Sequence, residues 1–189
     1  MKLMKKVFAV ALAVMMAASL MVSAVAADIF GNSVLRFNED GKFTIMMFAD
    51  SQDDETLEET TAQLMREALD AHNPDLVIYM GDNTVAGGYD NQAKAIEAIV
   101  APCVERDIPF TLVFGNHDQE QGVTNEVLLR EYQKYPGCLA YDAVPSLYGC
   151  GNHNLPIFAS KGLNIAFNLW FIDSGTSTEE AGGYDYVRE

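Results

Sequence analysis

The chain has 189 residues with a formal net charge of −15 at pH 7, and 49% of its residues are hydrophobic. This length suffices for one domain with a buried core. The excess of acidic residues argues against a surface for nucleic acid or anionic lipid, because such a chain repels both. The three cysteines lack the Cys-x-x-Cys spacing of a zinc site.

The first 27 residues are predicted to be a signal peptide. Three lysines occur within the first six residues, residues 7–22 are almost wholly apolar, and Ala-Val-Ala at 24–26 offers small residues for cleavage. A retained membrane anchor is the alternative, but no second apolar span follows. We therefore expect a secreted or extracytoplasmic protein without a membrane span after cleavage, in which residues 28–189 form one domain. Cleavage would take the formal net charge from −15 to −18, because it removes three lysines.

Apolar runs and helical spacing alternate along the next part of the chain. Residues 43–49, 76–80 and 110–114 are almost continuously apolar and have the length of strands. Residues 55–71 and 91–105 place apolar side chains at helical spacing. Strands without polar alternation are typical of a parallel sheet that is covered on both faces. The pattern therefore predicts an α/β fold that begins βαβαβ.

Three further elements are predicted toward the C-terminus. A helix is expected at 123–134, with Thr124 as its N-cap. A strand near 155–159 and a stronger one at 165–172 follow a segment rich in Gly, Pro and Tyr.

Several residues with reactive side chains receive structural interpretations. Cys138 and Cys150 flank a short loop-like segment, so they are the candidates for a disulfide in an exported protein. Cys103 lies on the apolar stripe of the second helix and is predicted to be a buried thiol. His72 is expected to cap the end of the first helix, and His153 is expected to be structural.

Each of the three predicted parallel strands ends in a cluster of polar side chains. The letters are DSQ at 50–52, GDN at 81–83 and GNHD at 115–118. The carboxyl ends of parallel strands meet at one edge of a sheet, where open α/β sheets place their ligands. The sequence therefore predicts one functional site built from all three strand ends.

The residue types at this edge indicate metal and acid–base chemistry. Asp50, Asp82 and Asn116 offer hard oxygen ligands that suit Mg, Mn, Fe or Zn. Asp82 is the candidate bridge between two metals, because its strand is expected to lie in the middle. His117 is the candidate general acid, and Asp118 beside it is expected to hold the imidazole in one tautomer. The alternative for His117 is a turn histidine that caps the following helix.

These motifs resemble the calcineurin-like metallophosphoesterases, and most closely their purple-acid-phosphatase-like branch. The chain is similar to the first three motifs of that family at Asp50-x-Gln52, Gly81-Asp82-Asn83 and GNHDQE at 115–120. It is similar to later strands of the branch at GCGNHNLPI, residues 149–157, and LWFIDSG, residues 169–175. The resemblance covers roughly residues 40–189.

The resemblance implies a β-sandwich flanked by helices and a centre of two divalent or trivalent metal ions. It implies that Asp50 and Gln52 bind one metal, that Asp82 bridges both, and that Asn116 binds the second. A metal-bound hydroxide would hydrolyse a phosphate ester, with a phosphorylated small molecule or another phosphoester as substrate. His117 would contact the phosphate and assist departure of the alcohol.

The chain departs from the family pattern in three ways. Gln52 stands where many members have histidine, and Val85 stands where purple acid phosphatases proper have a tyrosine ligand. A histidine and a Gly-His-x-His, the last two motifs of the family, do not occur before Glu189. We therefore expect an N-terminal part of such a domain, truncated at its C-terminus. The alternative is an inactive or weakly metal-binding remnant that exposes an apolar face and needs a partner.

Overall fold

A computed structural model describes residues 34–56, 59–179 and 182–188. The predicted signal peptide and two residues of the predicted first helix, Leu57 and Glu58, lie outside the described residues. No described helix is long and apolar enough to cross a membrane. Residues from Leu35 onward form one unit by their contacts, and the elements described next all belong to it.

The three strands predicted first form one parallel sheet. They are β1, Ile45–Phe48, β2, Leu76–Tyr79, and β3, Phe110–Leu112, in the spatial order β1-β2-β3. The central position of β2 confirms the prediction. Every residue of β2 and β3 is buried, as expected for a sheet that is covered on both faces. The strands are shorter than the apolar runs because the chain leaves the sheet before each polar cluster begins.

Three helices pack in a common core with the sheet. They are α1, Glu59–His72, α2, Tyr89–Val104, and α3, Asn125–Tyr132. Thr124 occupies the N-cap position of α3 as predicted, in the extended conformation and without a side-chain cap hydrogen bond. His72 lies in the last turn of α1, and its capping role stays a prediction.

The side chains of the buried strand β2 pack in two apolar clusters, one on each face of the strand. Val77 and Tyr79 pack in the cluster that contains the helices. The Tyr79 hydroxyl donates to the carbonyl of Ile99 in α2 at 2.7 Å. Leu76 and Ile78 pack in a second cluster on the other side of the strand. The period-two alternation of a strand accounts for this division.

An antiparallel hairpin packs against the face of β2 that is opposite the helices. It consists of β4, His153–Phe158, and β5, Ile165–Phe171. Leu155, Ile157 and Phe171 pack in one cluster with the residues that β2 directs to this side. Helices, parallel sheet and hairpin therefore form the layered α/β arrangement that the resemblance implies. A short ladder of β6, Ser177–Thr178, and β7, Gly183–Tyr184, follows.

His153 is structural, as predicted. Its Nε2 lies 2.8 Å from the Thr111 hydroxyl, and its Nδ1 lies 2.6 Å from the carbonyl of Gly151. The ring stacks on Phe171 with 4.5 Å between centroids. Burial lowers the pKa of this imidazole, which favours the neutral form.

Several large apolar side chains of β5 are exposed. Ile165, Phe167 and Trp170 are 60%, 55% and 71% exposed. Within the part of the chain that the structure describes, β5 pairs with β4 alone. The alternative of an inactive or weakly metal-binding remnant predicts an exposed apolar face of this kind.

The cysteines differ from the prediction in one respect. Cys103 is a buried thiol as expected, and its sulfur lies 3.4 Å from the Tyr79 hydroxyl. Cys138 and Cys150 are free thiols, so the predicted disulfide is wrong. The backbone of Cys138 forms an isolated parallel β-bridge with Phe110 of β3, whereas the amide of Cys150 donates to the carboxylate of Asp173. Closeness in sequence suggested the pair, but backbone bonds hold the two cysteines against different elements.

Candidate functional site

The three polar strand ends converge at the carboxyl edge of the parallel sheet. The amide of Asp50 donates to the carbonyl of Gly81 at 3.2 Å, and the amide of Gln52 donates to the carbonyl of Asp82 at 2.9 Å. The amide of His117 donates to Oδ1 of Asp82 at 2.8 Å. The loop after β2 is therefore bonded to both of its neighbours. The structure brings the candidate residues of all three loops to one place, as predicted from the parallel order of the strands.

Three of the candidate metal ligands have a left-handed backbone. The φ angles of Asp50, Gln52 and Asp82 are 54°, 42° and 51°. Such angles are uncommon outside glycine and cost free energy, so surrounding interactions must maintain them. Concentrated strain of this kind is typical of functional sites. The backbone bonds between the loops supply the restraint here.

Two glycines permit the close approach of the loops. A Cβ at Gly81 would lie 2.6 Å from the amide nitrogen of Gly115. A Cβ at Gly115 would overlap the carboxylate of Asp82. A larger residue at Gly115 would displace Asp82, and one at Gly81 would push the loops after β2 and β3 apart.

Asp118 lies beneath this edge and is 1% exposed. Its Oδ1 accepts the amide of Asn83 at 2.9 Å, and its Oδ2 accepts the amides of Asp82 and Gly115 at 2.9 and 2.7 Å. Burial raises the pKa of this carboxyl group to about 6, although the three amides oppose the shift. Asp118 thus joins the loops after β2 and β3.

The predicted contact between Asp118 and the His117 imidazole is therefore wrong. The tight loop turns the Asp118 side chain inward, where three backbone N–H groups converge on it. In this structure Asp118 positions the backbone that carries Asp82.

Glu120 occupies the role that was predicted for Asp118. Its Oε2 lies 2.8 Å from Nδ1 of His117, and both side chains are partly exposed. The hydrogen bond that Nδ1 donates to the Glu120 carboxylate raises the pKa of the imidazole. Among the described residues, none hydrogen-bonds Nε2 of His117, so that nitrogen is available to a substrate. The sequence signal for this pair is the spacing of three residues between the histidine and the acid within a turn.

The donor atoms fit hard metal ions in chemical type. Asp50 and Asp82 supply carboxylates, and Gln52 and Asn116 supply amide oxygens. Within residues 34–56, 59–179 and 182–188, no group of three His, Cys, Asp or Glu side chains forms a metal cluster. The candidate set thus holds two charged donors at most.

A cleft of about 320 Å³ opens beside these residues, between the loop after β3 and the β6–β7 ladder. Its lining consists of Asn116, His117, Gln119, Glu120, Thr176, Ser177 and Tyr184. The Gln119 amide donates to the Thr176 hydroxyl across it at 3.4 Å. Residues 176–184 carry no sequence motif that would predict a function, because the ladder they form is short.

Comparison with known proteins matches residues 43–189 to the family described as calcineurin-like phosphoesterase. The chain is 31% identical over 185 residues to "Probable inactive purple acid phosphatase 14" of Arabidopsis thaliana, covering 83% of this chain and 46% of that protein. It is 29% identical to "Probable inactive purple acid phosphatase 29" of the same plant, with coverages of 82% and 46%. It is 28% identical to "Phosphatase DCR2" of Saccharomyces cerevisiae, with coverages of 84% and 32%.

The chain spans about half the length, or less, of these curated relatives. The family match extends over most of the chain and includes all three polar strand ends. The chain therefore belongs to the calcineurin-like phosphoesterase family.

Proposed function

We propose that this protein is a metal-dependent phosphoesterase that hydrolyses a phosphate ester of a small molecule at the carboxyl edge of its parallel sheet. The observation that carries the proposal is the bonding of the three strand-end loops around Asp82, with His117 on the cleft beside it. The family match and the phosphatase named among the relatives support it.

Four residues would hold two metal ions in this proposal. Asp50 and Gln52 would bind one ion, Asn116 the second, and Asp82 both. The bound ions would polarise the phosphate and lower the pKa of water, the two contributions that metals make to ester hydrolysis.

The Asp118 carboxylate and the backbone amide of His117 act by placing Asp82. Asp118 accepts the amides of Asp82 and Gly115, so it fixes the loops after β2 and β3 relative to each other. The amide of His117 donates to Asp82 and restrains one oxygen of its carboxylate. A ligand that is held in place before substrate arrives needs no rearrangement during the reaction.

His117 is the proton donor in this proposal. Its contact with Glu120 leaves Nε2 toward the substrate and raises the pKa of the imidazole, so the charged, proton-donating form persists to higher pH. The departing alcohol oxygen would take its proton from Nε2. Glu120 is therefore a positioning residue for this histidine.

The test of the proposed function is the hydrolysis of p-nitrophenyl phosphate by the purified chain with added Mn²⁺ or Zn²⁺. We expect Asp82→Asn to reduce kcat by about a hundredfold or more, because the central carboxylate is lost. Asp107→Asn is the matched control. Asp107 has nearly the same φ, 53° against 51°, but lies in the turn before β3, at the opposite edge of the sheet. Equal activity of the two variants would contradict the proposal.

A second candidate function is metal-dependent binding without hydrolysis. Two of the three relatives named above carry "inactive" in their names, and Gln52 stands where many members of the family have histidine. Calorimetric titration of the chain with Mn²⁺ distinguishes the two candidates. Binding that Asp82→Asn abolishes, together with no turnover of any phosphate ester, would support the second candidate.

A further inference from the structure

The cleft beside His117 has the size of a site for one small organic group. Its volume of about 320 Å³ lies at the lower end of the range of roughly 300–1,000 Å³ for small-molecule sites. A single ring or a short polyol fits this space, whereas a dinucleotide or a folded partner needs more. His117 and Asn116 belong to the lining, so the cleft begins where the phosphate would sit.

The lining is polar and carries no cation beyond the catalytic histidine. Of the described residues that form it, none is Lys or Arg, and its one acid is Glu120. Thr176 and Ser177 offer hydroxyl groups, and Gln119 offers a carboxamide, so these three can donate and accept hydrogen bonds without charge. Tyr184 adds an aromatic ring that is 77% exposed. Such a ring stacks on the apolar face of a small molecule while its hydroxyl remains hydrated.

We propose that this cleft is the leaving-group subsite and that it selects phosphate esters of small, uncharged, hydroxyl-bearing alcohols. The inference rests on the proposed hydrolase function. A second anionic group on the alcohol would enter the cleft beside Glu120 without a counterion, in a chain whose net charge is −15. Unpaired charge at a partly desolvated site is costly, so esters with anionic leaving groups are disfavoured.

The chemical step explains why the alcohol enters this cleft. A water oxygen forms the new bond to phosphorus, and the bond between phosphorus and the alcohol oxygen breaks. That oxygen takes the proton from Nε2 of the His117 imidazolium, which gives a neutral alcohol and inorganic phosphate. The attacking water releases a proton to solvent, and the imidazole regains one. The alcohol therefore departs beside His117, against the residues that line the cleft.

The test compares glycerol 3-phosphate with 3-phosphoglycerate, which match in size and differ in a hydroxymethyl against a carboxylate group. For the chain with Mn²⁺, we expect kcat/KM to be at least about tenfold higher for glycerol 3-phosphate. Equal values, or a preference for 3-phosphoglycerate, would overturn the inference while leaving the hydrolase proposal intact.

Two charge-matched variants separate the cleft from the general charge of the surface. Ser177→Lys places a cation in the lining, and we expect it to reduce the preference to about twofold or less. Ser174→Lys adds the same charge at an exposed position outside the lining, and its preference should stay within about twofold of the original. Equal effects of the two substitutions would overturn the inference.

Equilibrium binding of the same two esters, measured by calorimetry, separates a failure of this inference from a failure of the proposed function. A binding preference for glycerol 3-phosphate that Ser177→Lys removes, without turnover, would contradict hydrolysis and uphold only the selectivity of the cleft for uncharged groups. Absence of both binding and turnover would overturn both.

Discussion

The sheet edge contains an inner and an outer layer that are built differently. The inner layer consists of Gly81, Asp82, Gly115 and Asp118, which are held by backbone hydrogen bonds beneath the surface. The outer layer consists of His117, Glu120 and the cleft lining, where exposed side chains contact one another. Two acids only two residues apart, Asp118 and Glu120, therefore have different tasks. The difference indicates that the inner layer sets geometry and the outer layer sets proton transfer and selectivity.

The largest expected effect is that of Gly81→Ala in the inner layer. Gly81 has a φ of 95°, and an added Cβ would lie 2.6 Å from the amide nitrogen of Gly115. Backbone strain and steric overlap together should lower the free energy of unfolding by about 3 kcal/mol. Urea denaturation of the chain measures this loss.

Gly41→Ala is the matched control for that substitution. Gly41 also has a positive φ, 79°, but an added Cβ there meets open space. We expect strain alone to cost about 1 kcal/mol at this position. Equal losses for the two variants would show that the approach of the loops is not tight, and the distinction between the layers would fail.

A smaller loss is expected for Asp118→Asn. An amide has one acceptor oxygen where the carboxylate has two, so at least one of the three N–H groups that Asp118 accepts would face a second donor. We expect the free energy of unfolding at pH 7 to fall by about 2 kcal/mol. Asp75→Asn, at a partly exposed carboxylate that accepts the amide of Thr44 at 2.7 Å, should cost about 0.5 kcal/mol. A loss of unfolding free energy for Asp118→Asn no larger than that for Asp75→Asn would contradict the role of Asp118 in the inner layer.

The smallest effect on stability is expected for Glu120→Gln in the outer layer. Glu120 and His117 are both partly exposed, so the free energy of unfolding should hardly change. The pKa of His117 should fall, because the hydrogen bond that its imidazole donates to Glu120 is what raises it. A general acid works in its protonated form, so the alkaline limb of the rate profile should move to lower pH.

Nuclear magnetic resonance of ¹⁵N-labelled histidine measures that pKa and the tautomer directly. Glu39→Gln removes an exposed acid elsewhere on the described chain and should leave both unchanged. An unchanged titration of His117 in Glu120→Gln would assign the imidazole to another partner and break the division into layers.

The sequence predicted the parts of the fold that depend on periodicity. The order of strands and helices, the parallel sheet and the buried Cys103 all follow from apolar spacing, and the structure has them. The convergence of the loops at Asp50, Asp82 and Asn116 followed from the rule that parallel strands end at one edge.

The directions of side chains in the tight loop after β3 could not be predicted in the same way. Asp118 and Glu120 are both acids near His117, and backbone turns decide which of them faces the imidazole. Ser177 and Tyr184 reach the cleft because they belong to a ladder of two residue pairs. So short a ladder has no periodic pattern in the sequence. The error at Cys138 and Cys150 has the same origin, because distance along the chain does not report which element each residue packs against.

The hydrogen bond from the His117 amide to the Asp82 carboxylate has a consequence for the folding of the chain. Asp82 can take up its final orientation only after β2 and β3 have paired, because the amide that bonds its carboxylate belongs to His117, in the loop after β3. A cation that prefers the oriented carboxylate would thus bind the folded chain and not the unfolded one. By thermodynamic linkage, metal loading and folding would reinforce each other, and a chelator would act on this protein as a denaturant.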